Sequence, residues 1–178
     1  EVIGHVSRVL FAPEDLFLVK GDPGERRSYL DELLVALAPR FDGVLGDLER
    51  VLRQRNSLLK SASSLRGGGS RSRAAAESTL SIWDEQLAAL SADVISGRAA
   101  LVARLTGPVA DAYRRVAPGT SDPEARIEYV PGVPESQGLG RVDLEGHIKG
   151  QLELRRDDEF ARGITLVGPH RDELAISL

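Results

Sequence analysis

An α+β fold that is mainly α, with a long antiparallel helical hairpin on a small sheet, is what this sequence predicts. Three observations predict it. Apolar residues recur at helical spacing over residues 41–65 and again from Leu80 to Leu105. A short Gly/Ser-rich stretch separates these two runs. Brief β-type segments stand toward either end of the chain.

The elements follow in order. Residues 2–11 alternate loosely, with Val2, Val6, Val9 and Phe11 apolar, and read as a strand that Pro13 breaks. Residues 12–21 form a loop with one helical turn near Glu14–Leu18. Asp22-Pro23-Gly24-Glu25 is a helix start: Asp22 caps free N–H groups, Pro23 suits the first helical position, and Glu25 completes a capping box. That helix runs to about Ala38, burying Leu30, Leu33, Leu34 and Leu37. Pro39 restarts the chain.

The hairpin arm comes next. Its first helix carries Phe41, Val44/Leu45, Leu48, Val51/Leu52, Leu58/Leu59 and Leu65. Its second carries Leu80, Trp83, Leu87, Leu90, Val94, Leu101 and Leu105, a heptad-like seam with Trp83 in the core. Each arm reaches roughly 35–40 Å. The second helix continues past Gly107-Pro108 to Val116, with a kink at Pro108. Residues 126–130 are a strand, 131–140 a loop with a tendency to disorder, and 142–161 one amphipathic helix. Residues 164–167 and 174–178 are strands around Gly168-Pro169-His170-Arg171-Asp172. The domain organisation is therefore 1–38 (strand, turn and capped helix), 39–117 (arm) and 118–178 (a returning α/β part of the same lobe).

Composition narrows the function. Among 178 residues, 42% are hydrophobic but only 4% aromatic, so the core is built from Leu, Val and Ala. No cysteine is present, which removes disulfides and thiolate metal sites. No apolar run approaches the ~18 residues of a membrane span. The chain begins at Glu1 and has no methionine, so it reads as an internal fragment or a trimmed form of something longer. His5, His147 and His170 are too scattered for a metal site. Gly67-Gly68-Gly69-Ser70 is no P-loop, because Gly-Lys-Ser/Thr is missing and helices flank it.

Three constellations remain. Pro13, Glu14 and Asp15 leave a strand end, and Arg26 and Arg27 follow in the first turn of a helix; acids and paired arginines so placed suit a phosphate–metal centre. Read plainly, the same stretch is a strand, a turn and a capped helix. His170, Arg171 and Asp172 mimic a kinase catalytic loop, but Ser177 stands where Asn belongs. Finally, seven basic residues and no acid lie between positions 50 and 73: Arg50, Arg53, Arg55, Lys60, Arg66, Arg71 and Arg73. They form either a solvated helix face or an arm that neutralises DNA phosphates. The run Arg155-Arg156-Asp157-Asp158-Glu159 reads as a solvated face.

The stretch from Pro13 to Asp31 resembles the signature of the RecF family: Pro, an acid, aliphatics, Gly, Pro, two Arg, an aromatic, then aliphatic–Asp. The block Thr165-Leu166-Val167-Gly168-Pro169-His170-Arg171-Asp172 looks like that family's other hallmark. Trp83–Leu87 and Leu52–Asn56 extend the resemblance over nearly the whole chain. What this implies is lobe II of an SMC-like ABC ATPase head, cytoplasmic, in recombinational and replication-gap DNA repair. It implies ATP and Mg sandwiched in a homodimer of the intact protein, and DNA gripped near gaps or junctions. It also implies RecO and RecR as partners, with RecA loaded indirectly. Pro13, Glu14, Asp15, Arg26, Arg27, His170, Arg171 and Asp172 would then sense nucleotide. Relatives carry a glutamine in that loop; here Pro13-Glu14-Asp15 stands in its place. No Walker A, Walker B or signature motif is present, so the chain alone is expected to hold no nucleotide and to be inactive. The rival reading is an interaction module whose hairpin docks a repair protein without touching DNA.

Overall fold

The structure, a computed structural model, describes residues 17–64, 70–117 and 125–177, apart from the side chains of residues 17, 64 and 70–73. The strand expected at 2–11 and the residues Pro13, Glu14, Asp15 and Arg66 lie outside the described residues. A single turn, α1 (Phe17–Lys20), leads to α2 (Pro23–Leu37). Asp22 caps α2 by accepting from the N–H groups of Gly24 at 2.6 Å and Glu25 at 3.2 Å. Leu30 and Leu34 are buried, and Leu33 packs against the core at its margin. Leu37 departs from expectation. It is 57% exposed, because α2 ends on it and the chain turns at Ala38-Pro39.

The hairpin is formed by α3 (Arg40–Ser64) and α4 (Ser70–Val116), with Pro108 inside α4. Its seam follows the sequence pattern: Leu48, Val51 and Leu59 on one helix, and Leu80, Leu87, Val94 and Leu101 on the other, are all buried. Trp83, Leu90 and Leu105 pack partly buried beside them. Phe41 fits a notch at Gly97, where a Cβ would stand 2.6 Å from its ring. The apolar content of α4 is higher than the sequence reading allowed. By length and composition its stretch Ala74–Val116 could cross a membrane, yet half of its most apolar window is buried in the fold.

The chain returns through β1 (Arg126–Val130), α5 (Arg141–Leu154), α6 (Arg156–Arg162), a 3-10 turn (Pro169–Arg171) and β2 (Glu173–Ser177). The strands pair antiparallel, Arg126 opposite Ser177 and Val130 opposite Glu173. Three expectations need correction here. The single helix over 142–161 is two helices, broken at Arg155 (φ −93°, ψ 1°). Asp157, Asp158 and Glu159 then occupy the first turn of α6, where the helix dipole favours acids. Residues 164–167 are not a strand, because their backbone donors go to side chains: Thr165 N to Asn56 Oδ1 (2.7 Å) and Leu166 N to Glu159 Oε1 (2.8 Å). The 131–140 loop is folded in, with Val133 only 1% exposed and Gly132 N bonded to Asp172.

Two apolar clusters result. The larger joins α2, the lower hairpin, α5 and the sheet. The smaller, Leu59, Ala76, Leu80 and Phe160, lies farther up the hairpin. The sequence of burial along α3 (Val51, Arg55, Leu59) and along α4 (Leu80, Asp84, Leu87) puts charged residues between the clusters.

Candidate functional site

Sequence reasoning linked the arginine pair of α2 to the Gly-Pro-His-Arg-Asp block only through a shared resemblance. The fold brings the two together. Arg26 grips Glu173 with Nε to Oε1 at 2.6 Å and Nη2 to Oε2 at 2.9 Å, and also donates to the Gly21 carbonyl. Such a fork-on-carboxylate contact fixes orientation as well as distance. It holds the Glu173 carboxyl below its usual range. Arg27 donates to the main-chain carbonyl of Asp172 at 2.8 Å.

Asp172 itself is fully buried. It accepts from the Arg98 guanidinium at 2.7 Å, from Gly132 N at 2.7 Å, and from the Tyr129 hydroxyl. Arg98, 3% exposed on α4, reaches the other way to Asp31 of α2 through two bonds of 2.9 Å, and to the Pro169 carbonyl at 2.8 Å. One cation thus serves two carboxylates. Burial pushes both Asp31 and Asp172 above the usual carboxylate range, and the Arg98 charge opposes that shift. Burial, with the Asp172 charge beside it, raises Tyr129 as well.

His170 Nε2 donates to the Thr165 carbonyl at 3.2 Å, and its Nδ1 is buried without a hydrogen bond. Burial lowers its pKa to about 4, with the charges of Arg171, Arg27 and Arg55 adding to the effect. The unfolded chain therefore binds a proton near pH 6.5 that the folded chain refuses until about pH 4. Stability is full above pH 6.5 and falls as pH drops through that window, by up to about 1.4 kcal/mol per pH unit. Asp31 and Asp172 work in the opposite sense, so the His170 contribution is read by difference. Urea midpoints of the wild type and of His170→Gln should converge as pH falls from 7 to 4; a constant gap would show that His170 protonates freely. Arg171 is exposed and donates to the Thr165 carbonyl at 3.2 Å.

The basic run divides. Arg55 is the correction: it is 0% exposed, bonded to Asp84 at 2.8 Å, Glu159 at 2.6 Å and Thr165 Oγ1 at 2.9 Å, and so out of reach of any phosphate. Arg156 completes this second network on Asp84 at 2.5 Å, so Arg155–Glu159 is not simply a solvated face. Arg50 and Arg53 are exposed but pair one turn back with Asp47 and Glu49, acids lying just before the run. Lys60 is exposed. Arg71 and Arg73 stand in the first turn of α4, with side chains outside the described residues.

Sequence reasoning missed Arg98, Asp31, Tyr129, Asp84 and Glu159 as site residues. A signal was present. Arg98 falls on the seam between Val94 and Leu101, Arg55 between Val51 and Leu59, and Asp84 between Leu80 and Leu87. A charge on an apolar seam must be paired in the interior.

The groove beside this site, about 630 Å³, is lined by Arg27, Arg98 and His170 but also by Asp31, Asp42 and Glu49. Its arginines are engaged and its acids repel phosphate, so it does not suit a nucleotide. Among the described residues no group of His, Asp or Glu is arranged to hold a metal. What the arrangement does is fix α2, α4 and the β2 entrance in one mutual orientation. The class this defines is a mainly helical fold in which a long helical hairpin is rooted on a two-stranded antiparallel sheet and locked to a capped helix.

No family model matches the chain. Curated proteins do. The DNA replication and repair protein RecF of Streptomyces avermitilis is 49% identical over 179 residues, and that of Kineococcus radiotolerans 46% over 186 residues. Each match covers 100% of this chain and 46% of the relative. RecF of a Nocardioides species is 41% identical, over 100% of this chain and 51% of its own. Two solved structures of the recombination mediator protein RecF in the RecFOR pathway share the fold. The one with ATPrS has a TM-score of 0.81 at 27% identity, covering 95% of this chain and 42% of that one. The one with ATP has a TM-score of 0.82 at 26% identity, covering 99% and 44%. The chain is similar to RecF proteins along its whole length and spans about half the length of the curated relatives it matches.

Proposed function

We propose that this chain is the arm-bearing lobe II of a RecF-like, ATP-dependent DNA-binding protein of recombinational and replication-gap repair. The observation that carries the reading is the match of the whole chain in sequence to curated RecF proteins, together with the likeness of its fold to RecF structures solved with ATP and ATPrS. ATP and Mg are held by the remainder of the protein in a cytoplasmic homodimer. Pro13, Glu14 and Asp15 sense nucleotide together with Arg26 and Arg27, and the Arg26–Arg27 turn carries the response to the His170–Glu173 block. RecO and RecR act with it, and RecA is loaded as a consequence.

DNA phosphates meet the arm through Lys60, Arg66, Arg71 and Arg73, with Arg50 and Arg53 lower on α3. Each phosphate neutralised by a cation contributes about 0.9 to the slope of log affinity against log salt on duplex DNA. Changing Lys60, Arg66, Arg71 and Arg73 to Glu in the complete protein is expected to flatten the slope for gapped duplex by about 2–4 and to weaken binding at least a hundredfold at low salt. An unchanged slope would remove the arm from the DNA interface. It would favour instead a hairpin that docks a repair protein, for which Ile82, 59% exposed on α4, supplies an apolar contact.

A further inference from the structure

Three elements meet at Arg98, and none of the contacts there is local in sequence. Asp31 lies 67 residues away on α2, Pro169 lies 71 away, and Asp172 lies 74 away. Arg98 uses Nε, Nη1 and Nη2 together: Nε and Nη2 clasp Asp31 as a fork, and Nη1 is divided between Asp172 and the Pro169 carbonyl. A guanidinium so engaged has no rotational freedom left, and a lysine could satisfy only part of this geometry. The other side of the cradle is also held, because the Tyr129 hydroxyl donates to Asp172 Oδ2 and Gly132 N to its Oδ1. At the head of α2, Arg26 on Glu173 and Arg27 on the Asp172 carbonyl tie the same strand entrance to the first helical turn.

We propose that Arg98 is a positioning residue for nucleotide-dependent DNA binding: the joint that makes α2 and the hairpin helix α4 move as one body. The inference rests on the proposed function, because α2 carries Arg26 and Arg27, which that reading assigns to nucleotide sensing. Any displacement of α2 along or about its axis pulls on Asp31, and Asp31 holds α4 by two bonds. α4 runs unbroken from Arg98 up to Ser70, a lever of about 40 Å. A rotation of α4 by about 5° at Arg98 carries its far end through about 4 Å on this length, enough to make or break phosphate contacts. The second buried arginine, Arg55, is the internal control. It has similar burial and as many partners, but it joins α3 and α4 to α6 and touches nothing on α2.

The test uses the complete protein with Arg98→Lys, Asp31→Asn and, as control, Arg55→Lys. Four quantities are read: thermal midpoint, ATP affinity, and affinity for gapped duplex with and without ATP. The expected result is a gain in DNA affinity on ATP addition that falls at least tenfold in Arg98→Lys and Asp31→Asn. ATP affinity and ATP-free DNA affinity stay within about twofold, and Arg55→Lys keeps its gain at a comparable thermal midpoint. A gain retained in the first two variants, or lost equally in all three, overturns the joint, since a merely structural role would scale with stability alone. A wild type with no ATP-dependent gain would sink the proposed function instead. The joint is then decided by spin labels at Glu32→Cys and Gln86→Cys, both exposed, in a stretch with no cysteine of its own. Their distance distribution should be narrow in wild type and in Arg55→Lys and broadened in Arg98→Lys; equal widths overturn the proposal.

Discussion

Replacing Arg55 by Met is expected to cost about 3–5 kcal/mol of folding stability, the penalty for removing one partner from a buried charge network. The size follows from what remains. Glu159 is fully buried and keeps only the Leu166 N–H, while Asp84 keeps Arg156. Both carboxylates then lose their shared counter-charge in an environment with little water to replace it. The network itself need contribute little net stability, because a buried ion pair roughly balances its own desolvation. Arg55→Met with Glu159→Gln should therefore recover more than half of the loss, since a Gln oxygen still accepts from Leu166. The measurement is the urea midpoint at constant m-value. A loss below about 1 kcal/mol in the single variant would mean that the guanidinium is solvated, and would return Arg55 to the set of phosphate-binding candidates.

Gly132→Ala is expected to cost about 3 kcal/mol, far beyond the usual effect of adding one methyl group. The new Cβ would collide with Arg171, lying 2.5 Å from its carbonyl carbon and 2.7 Å from its oxygen as well as against its Cβ. Two of these three are backbone atoms, which cannot rotate aside. The loop must back away, and the Gly132 N–H then leaves Asp172. The total combines an overpacking cost of about 1–3 kcal/mol with a charge-assisted hydrogen bond of about 1.5–3 kcal/mol. Thermal unfolding of the two proteins side by side measures it. A variant as stable as wild type would show that the 131–140 loop can separate from the Gly-Pro-His-Arg-Asp block at no cost.

Much of this fold is written in local chemistry. Asp22-Pro23 announces α2 through a cap that forms as drawn, and the steps from Leu80 to Leu105 announce α4 through its buried stripe. The Gly/Ser interruption falls between the end of α3 at Ser64 and the start of α4 at Ser70. The failures share one cause, partners far away in sequence. Residues 164–167 have the apolar content of a strand, yet Asn56 and Glu159 take their N–H groups. Residues 142–161 have one helical period, yet the break at Arg155 lets Glu159 swing inward to Arg55. The run from Arg50 to Arg73 looks uniformly basic, but its acids are supplied by Asp84 and Glu159 from other elements and by Asp47 and Glu49 from the preceding turns. The family motifs pointed to Arg26, Arg27 and Asp172; periodicity hid Arg98, because a seam position reads as apolar until a charge there is asked to justify itself.

The bond between Arg26 and Glu173 spans 147 residues. A ribosome adding about 5–20 residues per second needs roughly 7–30 s to travel from one to the other. Once Val116 has been added, the capped helix and the hairpin can make their local contacts, while Asp31 and Arg98 wait for an aspartate not yet made. The joint is therefore finished only after nearly all of this stretch has been synthesised. A nascent chain that stops short of Asp172 carries a hairpin whose root still lacks the carboxylate shared by Arg98, Tyr129 and Gly132.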